Sequence, residues 1–253
     1  MKFIKISIRN ACAYKWSVIF AAVSSVLSIW VLIYLWKYLY RNDELMISYM
    51  VSYTVLANIV SIFYCRGISN RIGDRVKTGT ISIDLIKPIN FFVMSWQIEL
   101  GEVFTNFIFK GLPIILVYCK AVFFSTPLYN IAYVVIAVVL GHIIFVLLYS
   151  LLGFLAIVLF DIWPFQRLLD DTIRLLGGGF LPLSILPNSL YKICTFLPFH
   201  YLYSFPVRLM LEKMDYLEIS KGFLVELLWI IVLGLVDIIA YRVLMRKVVI
   251  QGG

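Results

Sequence analysis

The chain has 253 residues, 62% of them apolar and only 14% charged, where an ordinary soluble domain carries roughly 25% charge. So few charges cannot cover a water-facing surface of this size, which excludes a soluble globular enzyme. The net charge of +8 does not point to a nucleic-acid partner, because the Lys and Arg residues gather at the ends of apolar runs, where they act as membrane-topology signals.

In chain order, the N-terminal stretch puts Lys2, Lys5 and Arg9 on one helical face and Phe3, Ile4, Ile8, Ala11 and Tyr14 on the other. This predicts a basic amphipathic helix lying in the membrane interface over residues 1–14. The uncharged run from Trp16 to Trp36 is longer than the apolar core of a cleaved signal and carries at each end a residue that prefers the headgroup boundary. It predicts span 1 at about 16–36, since a helical crossing needs roughly 20 apolar residues. Further spans are expected at about 45–65, 101–124, 131–160, 168–186 and 222–241, by the same criterion. The fifth is short and Gly-rich. A β-barrel would show alternating segments of about ten residues, and these runs are continuous. The expectation is an all-α polytopic membrane protein with six transmembrane helices, forming one transmembrane domain over 1–253.

Two connections are long, 66–98 and 187–221. The second mixes aromatics with prolines, as in Phe196-Leu-Pro-Phe-His-Tyr-Leu-Tyr-Ser-Phe-Pro206, and predicts short re-entrant helices. With the N-terminus in the cytoplasm, the inner segments hold fourteen Lys and Arg residues and the outer ones seven. This bias places both termini and the 66–98 connection inside, and 187–221 outside.

Motifs for chemistry in the chain itself are missing. Gly177-Gly178-Gly179 lacks the Lys of a phosphate loop, so no ATP-binding motif is present. The four cysteines (Cys12, Cys65, Cys119, Cys194) have neither metal-site nor redox spacing. His142 and His200 have no ligand partner at i+4, and no serine-nucleophile elbow or zinc helix motif occurs. No catalytic, cofactor or metal site is therefore expected. Among the charges within the expected spans, Glu102, Lys110, Glu226 and Asp237 are singled out. Intramembrane charges are functional candidates by default. Lys110 is expected to pair with an acid of another helix, span 6 being the candidate. Glu226 and Asp237, near opposite ends of span 6, can also reach water.

The 66–98 connection is the most informative soluble piece. Ile68, Ile72 and Val76 recur every four residues, Arg71 and Arg75 mark another face, Thr78-Gly79 interrupts the helix, and Lys87-Pro88 ends the next short element. A short charged helix held just below a membrane can dock into a groove on a soluble partner.

In three places the chain resembles permease subunits of ABC-2-type transporters, the branch called ABC-2 family transporter proteins. Residues 72–89, Ile-Gly-Asp-Arg-Val-Lys-Thr-Gly-Thr-Ile-Ser-Ile-Asp-Leu-Ile-Lys-Pro-Ile, are similar to that branch's Arg-x-Gly and Leu/Arg-Pro pattern, with Lys77 replacing the usual Arg and Lys87 standing before Pro88. Gly178-Gly-Phe-Leu-Pro-Leu-Ser-Ile-Leu-Pro187, followed by Leu197-Pro-Phe199, resembles its small-residue, Phe-x-Pro-Leu, Leu-Pro sequence. The basic tail from Tyr241 to the terminal Gly pair resembles its ending.

The resemblance implies a separate soluble ATP-hydrolysing subunit in two copies, with ATP and Mg bound there, and a second permease chain, identical or homologous. It implies an exporter in the cell membrane, and the aromatics suit an amphipathic or lipid-like cargo, or a peptide or drug. The ATPase-coupling element would comprise Arg71, Gly73, Asp74, Arg75, Lys77, Gly79, Asp84, Leu85, Lys87 and Pro88. The path would be flanked by spans 2 and 5, with Asn58, Gly177, Gly178, Gly179, Phe180 and Pro182 as candidates. The rivals are an ion-gradient-driven secondary transporter, for which no internal repeat is visible, and a membrane enzyme or scaffold, which would want a polar constellation.

Overall fold

The computed structural model describes residues 15–78, 91–119, 130–156, 158–159 and 161–251. The expected interfacial helix at 1–14 and the coupling candidates Gly79, Asp84, Leu85, Lys87 and Pro88 lie outside them. Every regular element among the described residues is helical.

Helix α1 (Lys15–Leu39) is a uniformly apolar rod, and much of it is exposed, as at Phe20, Leu27 and Val31. Such a surface requires lipid around it. A tight turn at 40–43 leads to α2 (Glu44–Ser61), whose start is fixed by Asp43, the carboxylate of which accepts the Met46 N–H at 2.9 Å. The Trp36 indole donates to Thr54 Oγ1 at 2.9 Å and fastens the two helices together. After α2 comes the short α3 (Gly67–Lys77).

The next crossing is one rod in three parts: α4 (Phe91–Asn106), a π-turn (Phe107–Gly111) and α5 (Leu112–Val117). Pro113 explains the π-turn. Lacking an N–H and crowding the carbonyl four residues back, it favours a wider turn, and the Leu112 N–H reaches the Phe107 carbonyl instead. The rod begins at Phe91 rather than near 101, because Arg71 neutralises Glu99 and Glu102 in its first half.

Helix α6 (Asn130–Leu155) is the most apolar element, and its far end packs on α3. A Cβ on Gly153 would lie 2.9 Å from the Ile72 side chain and 3.2 Å from the Ser69 backbone, so glycine permits the close approach. Helix α10 (Tyr216–Gln251) runs parallel to α6. Tyr133 meets Phe223, Ser150 donates to Asp237 at 2.7 Å, and Phe154 meets Tyr241.

Five helical rods are long and apolar enough to cross a membrane: Ile19–Leu39, Glu44–Ser61, Met94–Val117, Ile131–Leu155 and Tyr216–Val243. The fifth span expected at 168–186 is not among them. Its place is taken by α7 (Trp163–Gly177), 15 residues long and strongly amphipathic. That length reaches about 22 Å, short of an apolar core about 30 Å thick, and Arg167, Asp170, Asp171 and Arg174 interrupt it. The glycines read as part of an apolar span instead stop a helix. Gly178 adopts φ 87°, a left-handed cap, while a Cβ on Gly177 would lie 2.4 Å from the Phe199 carbonyl oxygen. Short pieces follow: a turn at Leu183–Ile185, α8 (Asn188–Phe196), a turn at Pro198–Tyr201 and α9 (Ser204–Leu211).

Because α6 and α10 are parallel, residues 161–212 must return from the α3 end of the bundle to the opposite end. They start beside α3, where Gln166 bonds Ser69. They reach the middle of α2, where the Tyr53 hydroxyl donates to the Gly178 carbonyl at 2.8 Å, and finish at its far end, where the Tyr49 hydroxyl donates to Glu212 at 2.9 Å. Between these points the chain turns back towards α3, and the Tyr64 hydroxyl donates to the Leu202 carbonyl at 2.5 Å.

Candidate functional site

Helix α3 is held against the bundle on three sides. Its apolar side buries Ile68 and Ile72. Gly73 is buried because its Cβ position is 3.0 Å from Ile162. On a second side Arg71, a residue expected to point outward, turns inward. It donates to Glu102 at 2.8 Å, to Glu99 at 3.1 Å and to the Ser95 carbonyl at 3.0 Å. Its side chain is 16% exposed and that of Glu99 0%, so this is a largely desolvated charge cluster, not a contact waiting for a partner. Glu99 was not singled out in the sequence; it lies at i−3 from Glu102, which was the available signal.

A third side faces α7. Lys77 pairs with Asp161 at 3.3 Å. The Gln166 amide donates to Ser69 Oγ at 2.8 Å and Asn70 Oδ1 at 2.7 Å. Arg66, just before α3, pairs with Asp170 at 2.6 Å, and Asp170 also accepts the Tyr149 hydroxyl of α6. The Trp163 N–H, together with Lys77, holds the Asp161 carboxyl below the usual carboxylate range. Of the coupling candidates among the described residues, Asp74 and Lys77 are exposed, Arg75 is half-buried, and Arg71 and Gly73 are turned into the protein.

The path candidates do not form one surface. Gly177, Gly178 and Pro182 are buried, and Phe180 is exposed with the Arg174 guanidinium 5.8 Å from its ring centre. Asn58 donates to the Thr54 carbonyl of its own helix at 2.9 Å. What the structure does bring together is α2 and the Gly178 turn, through Tyr53.

The intramembrane charges separate. Glu102 belongs to the Arg71 cluster. Asp237 accepts from Ser150, and Glu226 is fully buried with neither carboxyl oxygen bonded. Lys110, on the π-turn, pairs with no acid among the described residues, so the expected ion pair to the last helix is not formed.

At the opposite end lies a group that sequence reading missed. Arg208 of α9 pairs with Glu212 at 2.7 Å and Glu218 of α10 at 3.0 Å, and Glu212 accepts from Tyr49 of α2. The i,i+4 spacing of Arg208 and Glu212 was its only local signal.

This arrangement braces α3 against α4, α6 and α7 at once. Among the described residues no group of His, Cys, Asp and Glu side chains could hold a metal ion. A family model described as ABC-2 family transporter protein matches residues 29–252. No curated protein matches the chain.

Proposed function

Because the chain belongs to the ABC-2 family of transporter proteins, we propose that it is the membrane-spanning permease subunit of an exporter driven by a separate ATP-hydrolysing protein. The observation that carries this reading is α3, a short helix braced on three sides by the bundle, with Asp74 exposed. A helix fixed this way passes a push into the spans, whereas a solvated loop would absorb it. ATP and Mg belong to the partner. This chain's part is to hold α3 and to open and close its own helices.

In this reading residues 161–212 make the sixth crossing in pieces, and 187–212 dip into the membrane from the far side. Non-helical backbone at that depth must be covered by protein, and Tyr53 and Tyr64 bond two of its carbonyls. Six crossings place both termini on the α3 side, which the Lys and Arg bias assigns to the cytoplasm. The aromatic returning segment suits an amphipathic or lipid-like cargo. Two permease chains, identical or homologous, would supply two α3 docking points for two ATPase copies.

The test is purification of the tagged chain from its own membranes. The expected result is a stoichiometric phosphate-loop ATPase whose ATP hydrolysis is vanadate-sensitive. Purification without an ATPase, together with solute movement driven by an ion gradient alone, would overturn the proposal.

A further inference from the structure

We propose that Gln166 and Asp170 of α7 are positioning residues, forming a polar seam that carries displacement of α3 to the turn at Gly178 and from there to the returning segment. The inference rests on the function proposed above, and it assigns to α7 the role of lever arm.

The seam has three ties at three levels, and they run antiparallel. Lys77 meets Asp161, Ser69 and Asn70 meet Gln166, and Arg66 meets Asp170. Each tie joins side chains rather than backbones, and beside them Ile162 at the start of α7 packs on Gly73 of α3. Asp170 and Gln166 are both buried. A buried polar group left unpaired is costly, so neither can let go of its partner without a replacement. On its other flank α3 is fixed to α4 by Arg71, so movement of α3 draws on both neighbours.

The two neighbours differ in freedom. The rod containing α4 is anchored in lipid along a 24-residue apolar stretch. Helix α7 is short and amphipathic and ends at a left-handed glycine. Its last turn lies against the Phe199 carbonyl, too close for any side chain at Gly177, and the Gly178 carbonyl is held by Tyr53. A tilt of α7 therefore moves the Pro198–Tyr201 turn, which packs against the core of the bundle. The sequence GGG followed by prolines gives the arm a defined pivot instead of a continuous helix.

The test uses the whole complex with its ATPase, in a background lacking the four native cysteines and carrying Ile185→Cys as a reporter beside the turn. Ile185 is exposed. The rate of maleimide labelling is compared between the nucleotide-free and vanadate-trapped states. In the parent complex the two rates are expected to differ. Gln166→Leu combined with Asp170→Asn should reduce that difference by about tenfold, within the usual range of coupling between sites. Subunit content and basal ATP hydrolysis should stay as in the parent. Exchanging the charges, Arg66→Asp with Asp170→Arg, should restore the difference, because the ion pair re-forms in reverse. If the double variant fails to insert, Gln166→Leu alone serves, and it should weaken the difference with the Asp170 pair intact. A seam variant that keeps the full parental difference overturns the inference, as does failure of the charge exchange to restore it. A parent complex with no vanadate-trappable ATPase overturns the proposed function itself, and the inference falls with it.

Discussion

Arg71 shows how one side chain sets a boundary. Glu99 and Glu102 sit three residues apart on α4, and without a cation between them the helix would carry two carboxylates into an apolar environment. Breaking a buried pair by removing one partner costs about 3–5 kcal/mol. Arg71→Ala is therefore expected to lower the yield and thermal stability of the folded protein in detergent, measured by the loss of the monodisperse gel-filtration peak on heating. Arg71→Lys should be intermediate, since an ammonium cannot bridge both carboxylates and the Ser95 carbonyl at once. The glycines give a second contrast. Gly177→Ala drives a Cβ onto the Phe199 backbone and should destabilise clearly, while Gly234→Ala, with nothing within 4 Å of its Cβ position, should be neutral or slightly stabilising. Equal melting points for the two variants would show that the Gly177 approach is not constrained. Glu226 is the third case at this scale. Burying an unbonded carboxyl has a cost of about 1–3 kcal/mol, so Glu226→Gln should hold or raise the melting point. Lost transport in a stable Glu226→Gln protein would mark that carboxyl as functional.

At the scale of elements, α3 and α7 are amphipathic and short, and each is shaped by what it packs against. The 3.6-residue spacing of Ile68 and Ile72 identified the buried side of α3 from sequence. It could not tell which of Arg71, Asp74 and Arg75 looks outward, because Arg71 is drawn in by carboxylates on a helix about thirty residues later. Asp74 remains exposed. Asp74→Arg is expected to weaken association with the ATPase subunit, seen as fewer ATPase chains per permease after washing in salt, and to leave the melting point of the isolated permease unchanged. An unchanged ratio would remove Asp74 from the docking surface. In sequence, Leu168, Leu169, Ile173, Leu175 and Leu176 make α7 resemble part of an apolar span. Their spacing is amphipathic, and the charges between them are used: Asp170 pairs with Arg66, and the Arg174 guanidinium lies 5.8 Å from the ring centre of Phe180.

For the whole molecule, the parallel course of α6 and α10 supports the proposed topology. A chain whose last two long rods run the same way must cross between them. Single cysteines in a background without the native four should therefore label from the cytoplasmic side at Lys77 and from the outside at Lys213, with Gly253 reachable only from inside. Labelling of Gly253 from outside alone would overturn the assignment. Assembly belongs to the same scale, and one permease for every two ATPase chains would contradict the paired arrangement.

The sequence by itself determined the solvent. Long uncharged runs cannot face water, so membrane residence, helical class and the existence of five rods were legible from composition and length, while the third rod starts at Phe91 and not near 101. The family was legible too, because its motifs are local strings of Gly, Pro and basic residues. Only the tertiary structure decided which helix spans and which merely climbs, since Gly177 and the Phe199 carbonyl, far apart in the chain, meet in space. The same holds for the ties of α3 to α4 and α7 and for the group around Arg208. Each includes partners far apart in sequence, such as Arg71 with Glu99, Arg66 with Asp170 and Tyr49 with Glu212, and burial strengthens such contacts only after packing has removed the water between them.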